Sequence, residues 1–106
     1  MVAPPKRGEV YWVALDPTLG AEMQKTRPAP VVSPDELNRY LSTVIVAPIT
    51  STLRNYPFRV ECKPRNKRGS VALDQLRSID RSRVGKRIAI IDVIPALTVL
   101  SEMFAP

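Results

Sequence analysis

The sequence contains no histidine and a single cysteine among its 106 residues. Any acid–base chemistry must therefore run without imidazole, the side chain that most often performs it near neutral pH. One cysteine cannot form an internal disulfide, and without histidine no zinc-type ligand spacing exists. Cys62 lies in a run that alternates apolar and charged residues, which predicts a small buried hydrophobe. We therefore expect no bound metal and no cofactor.

Long hydrophobic runs, internal repeats and linkers are also missing. The N-terminus has no apolar segment of the secretory type, and no stretch approaches the roughly 18 apolar residues of a membrane span. The composition therefore predicts a cytoplasmic protein that does not enter a membrane. The length fits one domain, residues 1–106, with a single modest core.

Positive charge is abundant and unevenly distributed. Sixteen basic and ten acidic residues give a net charge of +6, and the segment from Arg54 to Arg87 alone carries an excess of eight positive charges. One interpretation is a track for a phosphate backbone, supported by Tyr56 and Phe58, whose rings can stack on unpaired bases. The other is a solvated surface that keeps the protein soluble.

Short runs rich in β-branched and aromatic residues predict a mainly β protein. Pro30 and Pro48 lie inside two of these runs and indicate an edge strand or a bulge. A single helical turn is expected at 34–38, and a terminal helix from Asp92 to about Phe104 with Pro95 in its first turn. The predicted strands span residues 9–15, 29–33, 43–50, 58–62, 70–73 and 75–80. This pattern favours a small barrel of SH3-like size followed by one α-helix.

Three polar residues stand where predicted strands begin or end. Arg27 lies at the start of the second predicted strand, Glu22 five residues before it, and Thr50 at the end of the third. An arginine, a carboxylate and a hydroxyl that converge in a basic protein suggest phosphate chemistry. The structural alternatives are a surface pair between Arg27 and Glu22, and a turn-forming hydroxyl at Thr50.

Seven blocks of sequence, in order from about residue 6 to residue 103, resemble the MazF/PemK toxins. They are Arg7-Gly8-Glu9-Val10-Tyr11, Asp16-Pro17, Gly20-Ala21-Glu22, Thr26-Arg27-Pro28-Ala29, Val46-Ala47-Pro48-Ile49-Thr50-Ser51, Tyr56-Pro57-Phe58 and Asp74-Gln75-Leu76-Arg77-Ser78-Ile79-Asp80. The resemblance implies a CcdB/PemK-like fold and a metal-independent, sequence-selective endoribonuclease for single-stranded RNA. It also implies a homodimer, silencing by an acidic antitoxin, and DNA binding by the toxin–antitoxin complex.

The resemblance also implies roles for individual residues. Arg27 and Thr50 occupy the positions that the family uses for cleavage, and Glu22 is the candidate for the general base or for the group that orients Arg27. Asp74 is open to a different reading, as the anchor of an arginine. The predicted RNA-binding residues are Lys25, Thr26, Tyr56, Phe58, Gln75, Arg77 and Ser78.

Two other functions compete with the endoribonuclease. One is a topoisomerase-poisoning toxin of the CcdB type, which shares the fold and binds its protein target through C-terminal residues. The other is a nucleic-acid-binding barrel without catalytic activity. The Arg27-Pro28 and Ile49-Thr50 blocks favour the endoribonuclease, and Ala105-Pro106 offers no aromatic anchor for a protein target.

Overall fold

The computed structural model describes residues 3–106, so the first two residues of the predicted domain lie outside it. Within that range the chain forms eight β-strands, two α-helices and three short 3₁₀ turns. The strands are β1 (Glu9–Ala14), β2 (Thr26–Pro30), β3 (Thr43–Val46), β4 (Ile49–Thr50), β5 (Arg59–Cys62), β6 (Gly69–Ala72), β7 (Arg77–Asp80) and β8 (Val84–Ile90). The helices are α1 (Asp35–Tyr40) and α2 (Ile94–Met103).

The strands pair in three small antiparallel sheets rather than in one closed barrel. Their orders are β2-β1-β8, β3-β7 and β4-β6-β5. A single bridge between Val31 and Val46 connects the first sheet to the second. The predicted class, mainly β with a C-terminal helix, is confirmed, while the barrel is open between its sheets.

The core divides into two clusters, and β1 contributes to both. Val13 belongs to the cluster between the first and second sheets, whereas Val10 belongs to the cluster that α2 and the third sheet complete. Both side chains are fully buried, as is Leu15. Burying a side chain of this size contributes roughly 1.5–3 kcal/mol. The position of β1 is therefore fixed from two sides.

Strand β8 was not predicted, and its irregular pairing explains why. Its partners on β1 advance unevenly, from Ala89 opposite Val10 to Val84 opposite Val13. Such bulges break the period-2 alternation by which a strand is recognised. Gly85 lies at this irregularity, and a Cβ there would lie only 3.0 Å from the Trp12 carbonyl oxygen.

Strand β2 begins earlier than predicted, so that Arg27 lies inside a strand rather than at its entrance. Pro28 and Pro30 are both accommodated because β2 pairs only with β1 and forms the edge of its sheet. The predicted strand at 43–50 is interrupted at Ala47-Pro48, and β3 and β4 enter different sheets.

Helix α2 matches its prediction apart from its outer end. The Asp92 carboxylate accepts the Ile94 N–H at 3.0 Å, and Pro95 lies in the first turn. Ala96 is buried, whereas Phe104, at which the helix was expected to end, follows the last helical residue Met103 and is 73% exposed. Across residues 3–106, no helix has the length and apolarity needed to cross a membrane.

Cys62 is half-buried rather than buried, at the end of β5. It packs against the second core cluster. Burial and, secondarily, the nearby Glu61 charge raise the pKa of its thiol to about 11. The side chain therefore remains a protonated, weakly nucleophilic thiol at neutral pH.

Candidate nucleic-acid interface

A surface cavity of about 430 Å³ lies beside strand β2, and we call it the cationic groove. Apolar side chains, among them Trp12 and Ile88, form part of its wall. The thirteen residues that line it include no carboxylate. Its five cationic residues are Lys25, Arg27, Arg65, Lys67 and Arg68. The groove therefore has the charge and the partly apolar character that suit a polyanion with flat bases.

Arg27 is held at the groove by strand pairing and by one hydrogen bond. It pairs with Val13 across the β2–β1 ladder and is half-buried. Its Nε donates to the Gln24 carbonyl oxygen at 3.1 Å. Within the described part of the chain, its Nη groups have no protein partner, so the fork of the guanidinium is available to a phosphate.

Thr50 ends strand β4, which packs against β2. The residue is 5% exposed, and its Oγ1 accepts the Thr52 N–H at 3.2 Å. Its neighbours Ile49 and Ser51 line the groove, whereas Thr50 lies just behind them. The turn-forming role predicted as the alternative is therefore present. It leaves the Thr50 hydroxyl hydrogen free for a second bond.

Glu22 is not gathered with Arg27. Its Oε1 accepts the Leu19 N–H at 2.6 Å, and its own N–H donates to the Leu19 carbonyl oxygen. The residue is exposed and does not line the cationic groove. No ion pair joins it to Arg27 among residues 3–106. Its role as general base remains a prediction.

A second surface cavity of about 370 Å³ adjoins the cationic groove, and we call it the aromatic groove. The Tyr56 and Phe58 rings stack with centroids 5.1 Å apart and planes at 29°, and the Arg59 guanidinium lies 5.5 Å from the Tyr56 centroid. Tyr56, Arg59 and Arg54 line this groove. Arg68 lines both grooves and joins them, and its Nε donates to Glu61, a carboxylate that also lines the aromatic groove.

The guanidinium at the aromatic groove is fixed by a carboxylate. Arg59 donates to Asp74 from Nε at 2.6 Å and from Nη2 at 2.9 Å. This bidentate contact lowers the pKa of Asp74 and raises that of Arg59. The expectation that Asp74 anchors an arginine is confirmed.

The other predicted RNA-binding residues of the Asp74–Asp80 block lie away from both grooves. Gln75 accepts the Met23 N–H through Oε1 at 3.1 Å. Arg77 donates from Nη1 to the Leu15 carbonyl oxygen at 3.2 Å. Ser78 is exposed on β7. The first two side chains hold the loop that connects β1 to β2, and contact of all three with RNA remains a prediction. Lys25 and Thr26 do line the cationic groove.

The basic segment does not form one continuous track, which corrects the simplest interpretation of its charge. Arg81 donates to the Asn38 carbonyl oxygen, and Arg83 donates to the carbonyl oxygens of Ala14 and Asp16. Arg87 pairs with Glu9 at 2.8 Å. Together with Arg77, these arginines hold the fold, whereas Arg54, Arg59, Arg65, Lys67 and Arg68 line the grooves.

Glu9 illustrates how tightly such a partner is held. Burial by itself would raise its pKa, but hydrogen bonds from the Lys6 N–H, Arg87 and Tyr11 outweigh burial and lower it. Burial and the bond to Glu9 raise the pKa of Tyr11 to about 12. Across the described residues, no cluster of three histidine, cysteine or acidic side chains has the arrangement of a metal site.

A small open β domain in which a carboxylate-free cationic groove adjoins an aromatic groove has the features of a surface for a polyanion. The chain belongs to the PemK-like, MazF-like toxins of type II toxin–antitoxin systems, whose family model matches residues 6–101. It is 42% identical to the endoribonuclease PemK of Escherichia coli over 89 residues, which cover 78% of this chain and 67% of that protein.

Solved structures agree with this assignment. The crystal structure of MazF from Deinococcus radiodurans superimposes with a TM-score of 0.80 at 30% identity, covering 94% of this chain and 93% of that one. The MazE–MazF structure from the same organism superimposes with a TM-score of 0.72 at 30% identity, covering 93% and 91%. The predicted family is confirmed.

Proposed function

We propose that this protein is the toxin of a type II toxin–antitoxin pair and a metal-independent endoribonuclease that cleaves single-stranded RNA. The observation that carries the proposal is the free guanidinium fork of Arg27 in the cationic groove, beside the strand that ends at Thr50. Membership of a toxin family whose relative PemK is an endoribonuclease supports the activity.

Cleavage without a metal uses the 2′-hydroxyl of the RNA as nucleophile. Its proton passes to the general base, its oxygen bonds to the adjacent phosphorus, the bond from phosphorus to the 5′-oxygen breaks, and the released 5′-oxygen takes up a proton, so no proton is gained or lost overall. The products are a 2′,3′-cyclic phosphate and a 5′-hydroxyl. The phosphorane between them carries extra negative charge, which the Arg27 fork stabilises through two parallel hydrogen bonds.

Thr50 contributes a hydrogen bond to the same phosphate. Its Oγ1 accepts the Thr52 N–H, and the hydroxyl hydrogen remains available to donate to a phosphate oxygen. A threonine hydroxyl is too weakly acidic to act as an efficient base at neutral pH. Glu22 stays the proposed base, and a move of its carboxylate from the Leu19 N–H toward the cationic groove is what that role requires.

The joined grooves favour single-stranded RNA over a duplex. The Tyr56 ring is 42% exposed at the aromatic groove and offers a stacking surface, which bases can reach only when they are unpaired. We propose that the backbone follows the cations from Arg27 past Arg68 while a base stacks at Tyr56. A topoisomerase poison has no need for such a path, which is why the endoribonuclease is preferred.

The proposed partners follow from the same charge. An acidic antitoxin segment with apolar anchors fits a groove that combines five cations with Trp12 and Ile88. MazF of Deinococcus radiodurans has been crystallised with MazE, which supports a protein partner for this chain. We propose a homodimer in the cytoplasm, with its antitoxin and its RNA substrate competing for the groove.

The deciding experiment is incubation of the purified protein with a long single-stranded RNA in excess chelator. Cuts at a small set of sites, with 5′-hydroxyl and cyclic phosphate ends, are expected. Mapping the new 5′ ends gives the recognised sequence. RNA that stays intact in chelator and is cut only after a divalent metal is added would overturn the metal-independent mechanism, and binding without scission would indicate the non-catalytic barrel.

Competition is tested separately, with the acidic tail of the antitoxin and an uncleavable 2′-O-methyl RNA. Native mass spectrometry at saturating concentrations should show the toxin with either ligand but not with both at one site. A toxin dimer that carries more antitoxin tails and RNA molecules in total than its two grooves can hold one at a time would contradict competition and would indicate allosteric inhibition instead.

A further inference from the structure

We propose that Gln75 is a positioning residue, which orients the Arg27 guanidinium through the backbone of Met23 and Gln24. The inference rests on the proposed function, in which Arg27 contacts the scissile phosphate. It assigns to Gln75 a role other than the direct RNA contact expected from the sequence.

The contacts form a short connected path. Gln75 Oε1 accepts the Met23 N–H at 3.1 Å, and the carbonyl oxygen of the next residue, Gln24, accepts Arg27 Nε at 3.1 Å. Only the backbone torsions of Met23 and Gln24 lie between these two hydrogen bonds. Fixing the Met23 amide therefore restricts the direction of the carbonyl that holds Arg27.

Other contacts also fasten the loop between β1 and β2, and Gln75 is the side chain that holds the Met23 amide. The Leu15 N–H donates to the Lys25 carbonyl oxygen at 2.9 Å, and the Leu15 carbonyl oxygen accepts from Arg77. The Met23 side chain is half-buried against the first core cluster. Lys25, with φ of 69°, reverses the chain just before Arg27.

Gln75 is itself rigidly placed. It ends the 3₁₀ turn Leu73–Gln75, and the neighbouring Asp74 is held by the two hydrogen bonds from Arg59. Leu73 in the same turn is 2% exposed and belongs to the second core cluster. The carboxamide is therefore presented to the loop from a turn that one buried side chain and one ion pair hold in place, as expected for a group that positions another.

The chemistry of the carboxamide separates this role from RNA contact. The loop contact uses only the acceptor, Oε1, whereas reading a base edge would also use the Nε2 donors. Gln75→Glu keeps an acceptor oxygen and removes both donors. Gln75→Ala removes everything. The two roles therefore predict different orders of activity for these variants.

The test compares wild type, Gln75→Ala and Gln75→Glu in steady-state cleavage of one RNA at saturating and limiting concentrations. We expect Gln75→Ala to lower kcat about tenfold because a reacting group that is slightly misplaced loses much of its rate advantage. Gln75→Glu should recover part of kcat, because the acceptor oxygen remains, and should raise KM, since it adds a negative charge beside Asp74; urea titration of this variant separates any loss of stability from the loss of positioning. Glu102→Gln, an exposed change on α2, serves as the control. An equal loss of kcat in both variants would overturn the proposal in favour of direct contact.

A second measurement needs no RNA. Amide exchange at Met23 and the NMR signal of the Arg27 Nε–H should show protection in wild type and in Gln75→Glu, and loss of protection in Gln75→Ala. Unchanged protection in Gln75→Ala would refute the positioning role, even if that variant cleaved RNA slowly. If wild type does not cleave RNA, the proposed function fails while this readout still reports on the contact.

Discussion

The cations of this protein fall into two groups that carry the same charge but have different partners. Lys25, Arg27, Arg65 and Lys67 line a groove that contains no carboxylate. The arginines of the second group donate their hydrogen bonds to the protein itself, to backbone carbonyl oxygens and to Glu9. Its members are Arg77, Arg81, Arg83 and Arg87.

The difference teaches that net charge alone is a poor guide to a binding surface. Arg65 and Arg81 both belong to the basic segment, yet Arg65 lines the cationic groove whereas Arg81 donates to the Asn38 carbonyl oxygen of helix α1. A guanidinium that bonds backbone carbonyls stabilises the fold and has fewer donors left for a phosphate. The two groups should therefore respond to substitution in separable ways.

The largest effect is expected in the groove. Arg27→Ala should lower the cleavage rate about a hundredfold to a thousandfold, or roughly 3–4 kcal/mol, because one donor to the transition state is lost. Arg27→Lys should also be slow, since a point charge lacks the fork. Thermal unfolding should change little. The cleavage rates of both variants are measured, with Arg39→Ala as the control. Near-normal cleavage by Arg27→Ala would exclude Arg27 from the mechanism.

The opposite pattern is expected for Arg81→Ala. The Asn38 carbonyl oxygen lies in a fully buried residue and would lose the Arg81 donor. An unpaired buried acceptor costs about 1–3 kcal/mol. The free energy of unfolding should fall by less than that, because the variant also removes the Arg81 Nε, which is buried without a partner among the described residues. Urea titration measures the loss. Arg39→Ala, on the outside of the same helix α1, is the matched control. Weakened RNA affinity with unchanged stability would show that Arg81 belongs with the groove cations and not with the arginines that hold the fold.

A smaller effect is expected in the salt dependence of RNA affinity, which should differ between the two groups of cations. Binding of 2′-O-methyl RNA should weaken as salt rises, with a log–log slope of about −0.7 for each phosphate neutralised. Lys67→Ala should make that slope shallower by about 0.7. Arg83→Ala should leave it unchanged, since its guanidinium is bonded to the Ala14 and Asp16 carbonyl oxygens. Equal slopes for the two variants would mean that the comparison does not hold in solution.

The smallest effect concerns Asp74, a carboxylate that stabilises the fold and at the same time holds the groove arginine Arg59 in place. Its folded pKa lies below the ordinary 3.8, so its contribution to stability is full above that value and is lost as pH falls through the folded pKa. Asp74→Asn should therefore be slightly less stable than wild type near pH 7, and the difference should vanish in strong acid. Urea titration across this range measures it, and a constant difference would contradict the ion pair.

The sequence predicted several parts of the fold because their signals are local. The strand at 9–15, the helix after Asp92 and the edge-strand character of the Pro30 segment all depend on neighbouring residues, and all appear in the structure. Strand β8 was missed because a bulge facing Trp12 spoils its alternation. The break at Ala47-Pro48 was indicated only as an irregularity.

The candidate site was predictable in part for a similar reason. Lys25, Thr26 and Arg27 are consecutive, so their shared groove follows from one strand end. Glu22 is near Arg27 in sequence, yet its carboxylate turns to the Leu19 N–H. Sequence reasoning missed Arg65, Lys67 and Arg68 as individual groove residues, since nothing local distinguishes them from the other cations of the basic segment.

By itself the sequence determined the family, through ordered blocks, and the chemistry available, through an absent histidine and an abundant arginine. Only the tertiary structure decided which arginines face a groove and which hold the backbone. The physical reason is that the deciding partners are distant in the chain: Gln75 meets Met23 across 52 positions, and Arg83 meets Asp16 across 67. A guanidinium or carboxamide takes its role from the acceptor that the fold brings to it.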